Sequence, residues 1–221
     1  TCLSAAEAAP KVMASTMPVH SIVAAVMGKL GGPELIFRGT VSEHSSELSP
    51  RQIAALGTAD MVFMIGPSIE VRLGQIDRGE AVNGKAFVML ADAPGISRLG
   101  IRQGSAWEAH VHEAEDGTAE HQEGVAVING HLWLSPANAK ALATEIARQL
   151  AAVDGANAAT YDANVKAFAA RVDDTAAGID ALLAPVRDRP FIVFHDAYPY
   201  FEEAFGLAAV GSISDSSGTS P

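Results

Sequence analysis

Three of the seven histidines stand where the chain changes from one kind of segment to another. His195 ends the apolar run Phe191–Phe194 and precedes AYPYFEEAF, an aromatic and acidic stretch with apolar residues at helical spacing. A histidine at the C-terminal end of a buried strand, just before a helix, occupies the place where open α/β sheets carry their ligand residues. His44 lies beside Glu43 in the polar loop VSEHSSELSP, and His131 lies in GHLWLSP, immediately before a helix start. Alone, His44 reads more readily as a solvated loop side chain than as a ligand, and His131 is a weak signal by itself, since the Trp133 and Leu134 that follow it read as core. His195 is the least expected setting for an idle histidine. A buried imidazole needs partners for both nitrogens, and a metal on one with an acceptor on the other supplies them. Together the three suggest neutral imidazoles meeting around one divalent cation, a borderline-soft site suited to four-coordinate Zn²⁺. Such binding weakens as pH falls through the histidine range near ~6.5, because a protonated imidazole cannot ligate.

A second constellation is WEAHVHEAEDGTAEHQEG, where His110, His112 and His121 stand among Glu113, Glu115, Asp116, Glu120 and Glu123. The spacing of two between His110 and His112 suits an extended or loop segment better than one helix face. Histidine-rich tracts read as metal binding by composition, so the run is either an auxiliary zinc-collecting loop or a solvated acidic one. His20 sits at a helix start and is expected to pack or cap there. Asp196 and Tyr198 are candidates for orienting a histidine from behind.

These residues need a scaffold. The chain has 221 residues, 48% of them hydrophobic and 19% charged, enough for one large domain or two small ones. The net charge of -11 argues against nucleic acid as a partner and suits a protein that attracts cations. No run of about eighteen apolar residues occurs, so no membrane-embedded segment is expected. Cys2 is the single cysteine and forms no internal disulfide. Ala6-Glu7-Ala8 has the small-x-small pattern of a signal-peptidase site, so residues 1–8 read as a signal remnant or a disordered tail.

From residue 9 onward, short apolar strands alternate with helices. Strands are expected at Lys11–Thr16, Glu34–Phe37, Met61–Ile65 and Ala86–Leu90, with helices opening at Pro18, at Ser49-Pro50 and at Ile69. Apolar strands of this kind, separated by helices, imply a parallel sheet covered on both faces. Periodicity lapses from Asp92 to Gly124 and resumes at Ser135-Pro136, with Ala139, Leu142, Ile146 and Leu150 on one helix face. Asn157–Leu183 follows as a long helix striped by Tyr161, Val165, Phe168, Val172, Ile179 and Leu183, a rigid connector by its length. A strand to His195, a helix carrying Tyr198, Phe201 and Phe205, and a strand at Leu207–Val210 then begin a second sheet. The expected division is an N-terminal α/β lobe over residues 9–155, with the His- and acid-rich loop at 106–124. A connecting helix follows at 156–186, and 187–221 is the start of a C-terminal lobe that continues beyond Pro221 or is a fragment.

GTVSEHSSELSPRQIAALGTADMVFMIGP, NGHLWLSP and PFIVFHDAYPYFEEAFGL, in that order, resemble the periplasmic zinc-binding proteins of ABC transporters. These belong to the metal-receptor group of solute-binding proteins, which also includes manganese receptors. The resemblance implies two Rossmann-like α/β lobes with parallel sheets, joined by one long helix, with the metal between them. It implies that His44, His131 and His195 coordinate Zn²⁺, with the fourth position filled by Glu43, by water or by an acid beyond Pro221. It further implies a protein of the periplasm that is not an enzyme, whose partner is the membrane permease of an ABC importer. A zinc carrier that hands metal to the loop of His110, His112 and His121 is a further implied partner. Two departures stand out: Ser45 follows His44 where many members have aspartate, and Pro199 occupies the aromatic motif. Rival readings are a manganese or iron receptor, a metal-dependent adhesin of the same fold, and a zinc hydrolase. Against the hydrolase there is no HExxH motif and no evident general base beyond Glu43. Against manganese, an all-nitrogen ligand set favours zinc.

Overall fold

Runs of three or four apolar residues form the strands of the first sheet: β1 (Val12–Ala14), β3 (Met61–Met64) and β4 (Ala86–Met89). With β2 (Glu34–Leu35) they pair in parallel in the order β2-β1-β3-β4. Val12 stands opposite Met61, and Met61 opposite Ala86. The computed structural model describes residues 9–38, 48–67, 69–77, 86–102 and 128–214. Alternate strand residues point to opposite faces and fill two cores. Val12, Ala14, Met61, Phe63 and Val88 face α1 (Met17–Met27) and α4 (Pro136–Val153). Met13, Val62 and Met64 face the other way, toward α2 (Pro50–Leu56) and α3 (Val71–Asp77). Such two-sided burial is why these strands are apolar at every position.

Helix starts follow local chemistry. Ser49 Oγ accepts from Gln52 N while Gln52 Oε1 accepts from Ser49 N, a reciprocal box with Pro50 at the first helical position. Ser135 caps α4 by accepting from Asn138 N, again with proline next. His20 Nε2 lies 3.1 Å from Pro33 O, so this histidine packs at its helix start.

α5 (Ala158–Leu183) runs for 26 residues against α4 and α1. Asn164 Nδ2 donates to Val26 O beside Gly28, whose φ of 57° leaves α1 in a left-handed turn. Lys140 on α4 pairs with Asp173 on α5. The apolar stripe expected along α5 is only half-buried beyond Tyr161. Its middle instead lines a cleft of about 500 Å³, where Phe168, Val172 and Ile179 face Trp133, Phe201 and Phe205. No helix among the described residues is long and apolar enough to cross a membrane.

Past α5 the chain forms β5 (Phe191–Val193), α6 (Pro199–Phe205) and β6 (Ala209–Ser212), with β5 and β6 parallel. The sequence reading makes the run before His195 buried throughout; the structure buries Val193 alone, leaving Ile192 62% and Phe194 66% exposed. A two-stranded sheet covered on one face buries alternate residues only. β6 also begins at Ala209, two residues later than expected. α6 departs in register: Pro199 sets the first turn, so Tyr200, Glu202 and Phe205 are buried while Tyr198 remains exposed.

Candidate metal centre

The two sheets bring His131 and His195 together. His131 sits before a 3₁₀ turn, Leu132–Leu134, which is anchored by the fully buried Leu132. The preceding Gly130 is pressed onto Ile69, where a Cβ would lie 2.2 Å from Cγ1. His195 leaves the end of β5 in a tight turn closed by Ala197 N donating to His195 O. The two imidazoles come from positions 64 apart in the sequence, and their ring centroids are 5.5 Å apart, tilted by 52°. Trp133 flanks His131 at 5.4 Å, and Phe194 approaches His195 edge-on at 6.5 Å.

Behind the imidazoles lies a buried polar network. Asn129, only 3% exposed, presents Oδ1 to His131 Nδ1 at 2.9 Å and to His131 N at 3.1 Å. Asn129 Nδ2 donates to Asp196 O at 2.7 Å, and Tyr200 Oη donates to Asn129 O at 2.8 Å. Tyr200 Oη also accepts from Leu99 N, and burial pushes its phenol pKa up. The Asp196 carboxylate, 1% exposed, turns to Arg102. Arg102 also holds both oxygens of Glu202, at 2.9 and 2.8 Å. Burial opposes the Arg102 charge, but its hydrogen bonds to Glu202 and Asp196 outweigh that and raise its pKa. Arg102 belongs to the first lobe and both acids to the second, so this ion pair spans the junction.

A second buried node lies at the C-terminal edge of the first sheet, next in sequence to the Ile69 that packs on Gly130. Glu70 accepts from Ile65 N, Gly66 N and Ser15 Oγ at the C-terminal ends of β1 and β3. Burial pushes its carboxyl pKa up, against the lowering effect of these hydrogen bonds.

Of the residues singled out from sequence, His131 and His195 meet. Asp196 lies next to them but spends its carboxylate on Arg102, reaching His131 only through its backbone oxygen and Asn129. Tyr198 is 42% exposed at the start of α6, with no side-chain hydrogen bond among the described residues. Glu43, His44, His110, His112 and His121 lie outside the described residues, as do residues 1–8 and 103–127. Among the described residues no group of three or more His, Cys, Asp or Glu side chains gathers as a metal site. Sequence reasoning missed Asn129, Arg102, Tyr200 and Glu202. The one hint was an asparagine two residues before a candidate ligand. At this spacing two neutral imidazoles can share a cation, and the network behind them holds the His131 ring and the backbone turn that carries His195.

Comparison with known proteins bears on this geometry. The high-affinity zinc uptake system protein ZnuA of Brucella abortus is 40% identical over 235 residues, covering 95% of this chain and 69% of that protein. A crystal structure of ZnuA aligns with TM-score 0.77 at 27% identity, over 96% of this chain and 74% of that one. A Zn(II)-bound AdcAII variant from Streptococcus pneumoniae shares the fold, with TM-score 0.77 at 22% identity, over 97% of this chain and 73% of that one. The family model "ZnuA: Zinc-uptake complex component A periplasmic" matches residues 12–221, and the chain belongs to that family.

Proposed function

We propose that this protein captures Zn²⁺ in the periplasm and delivers it to the membrane permease of an ABC importer. The observation that carries the reading is the approach of His131 and His195, one from each lobe. Two imidazoles on one tetrahedral zinc, each with Zn–N near 2.0–2.1 Å, have ring centroids about 5.2 Å apart. The observed 5.5 Å is close to that value. His44 supplies the third nitrogen in this reading, and Glu43 or water completes four-coordination. His110, His112 and His121 form an auxiliary loop that gathers zinc or receives it from a periplasmic carrier. The net charge of -11 favours encounter with a cation. The protein acts as a receptor rather than an enzyme: it binds and releases its cargo unchanged.

The test is a zinc titration against a chromophoric chelator, comparing the parent protein with His44→Ala, His131→Ala and His195→Ala. Each variant should lose more than the ~100-fold that a change outside the ligand shell produces. Parent-like affinity in all three variants would refute the site.

A further inference from the structure

We propose that Asn129 is a positioning residue that presets the zinc site: its carbonyl fixes the tautomer of His131, while its amino group ties the His195–Asp196 turn to the first lobe. The inference rests on the reading of His131 and His195 as zinc ligands.

Which way round the Asn129 amide sits follows from its neighbours. Asn129 Oδ1 lies 3.1 Å from the His131 backbone nitrogen, a group that can only donate. Asn129 Nδ2 lies 2.7 Å from the Asp196 carbonyl oxygen, a group that can only accept. The two backbone partners fix the orientation without reference to any hydrogen position. Since Oδ1 is an acceptor, the His131 Nδ1 facing it at 2.9 Å must carry the proton. In the neutral imidazole Nε2 then carries no proton and keeps its lone pair, as a metal ligand requires. An imidazole without this partner distributes its proton over both nitrogens, and the Nε2-protonated fraction cannot bind zinc through that atom.

The same residue acts on the second ligand. Asp196 follows His195 directly, so the bond to its carbonyl holds the backbone from which the second imidazole projects. Asn129 is itself held on both sides of its own peptide unit: its N–H donates to Leu99 O at 2.8 Å, and its carbonyl accepts from Tyr200 Oη. At 3% exposure it has no slack to turn. The Asp196 carboxylate is committed to Arg102 and Glu202 is committed with it. The neutral amide therefore takes the role that a carboxylate fills behind many ligating histidines.

The experiment compares the parent protein with Asn129→Ala, Asn129→Asp and His131→Ala. Zinc affinity is read by chelator competition, and the His131 tautomer by long-range ¹H–¹⁵N NMR on metal-free, ¹⁵N-labelled protein. In the parent, His131 should show a protonated Nδ1 and a bare Nε2. Asn129→Asp keeps an acceptor for Nδ1 and should keep that pattern. Asn129→Ala should shift His131 toward the averaged pattern and weaken zinc binding by roughly 10–100-fold. A merely structural role would leave the tautomer pattern unmoved. An Asn129→Ala protein with the parent's His131 pattern, or with affinity within about twofold of the parent, overturns the inference. A His131→Ala protein that binds zinc like the parent instead overturns the ligand reading, and the NMR comparison, made without metal, tells the two failures apart.

Discussion

Replacing Arg102 with methionine keeps most of the side-chain stem and removes the cation that, among the described residues, Asp196 and Glu202 share. Their side chains are 1% and 6% exposed, against 24% for the arginine, so neither carboxylate can turn to water. Removing one partner of a buried pair costs about 3–5 kcal/mol. Each acid retains one backbone donor, Arg102 N for Asp196 and Ala209 N for Glu202, which places the expected loss near the middle of that range, about 4 kcal/mol. For a chain of 221 residues that corresponds to a fall of roughly 8–16 °C in melting temperature. Thermal unfolding followed by circular dichroism at neutral pH reads this directly. Adding Asp196→Asn and Glu202→Gln to the same chain removes the stranded charges and should restore more than half of the loss. A drop of less than about 2 °C in Arg102→Met, or a triple variant no more stable than the single one, would refute this account of the junction.

Two other buried positions of the first lobe give further expectations. Burial raises the Glu70 carboxyl above its unfolded value, so the folded state holds its proton more tightly than the unfolded chain. Its stabilising contribution is therefore full below the unfolded glutamate value of ~4.3 and declines, by up to about 1.4 kcal/mol per pH unit, as pH rises toward the raised value. Urea unfolding of the parent and Glu70→Gln between pH 4 and 8 should show the parent's relative stability decreasing with pH; a flat or rising difference refutes it. Gly130→Ala would put a Cβ 2.2 and 2.4 Å from Ile69 Cγ1 and Cδ1 and should destabilise by about 1–3 kcal/mol. Combined with Ile69→Ala, the two substitutions should cost less than their sum, and strict additivity in denaturant unfolding would show that the contact does not constrain the His131 segment.

The first lobe was largely legible because its signals are local. Serine before proline at 49–50 and 135–136 marks two helix starts, and both caps form as that chemistry dictates. Uniformly apolar strands spelled out a parallel sheet with two covered faces. The meeting of His131 and His195 is legible only from where the histidines punctuate the chain and from the order of the motifs that carry them, because no periodicity relates residues 64 positions apart. Arg102, Asp196 and Glu202 show why the rest was hidden. A lone arginine in a loop, and a glutamate on a short helix, read as solvated until the junction buries them together. The α6 register failed for a related reason: the stripe was counted from Tyr198, whereas Pro199 fixes where the helix begins.

The connecting helix α5 has a mechanical consequence. At 1.5 Å per residue its 26 residues make a rod about 39 Å long. It is fastened to α1 by Asn164 on Val26 and to α4 by Lys140 on Asp173, so only the ten residues past Asp173, about 15 Å, run on toward β5 and His195. That free length is a short lever: a tilt of ~4° about Asp173 carries its end ~1 Å, half the length of a zinc–nitrogen bond. A lean of that size, resisted by the Arg102 bridge and the Asn129–Asp196 bond, would be enough to change how His131 and His195 face each other.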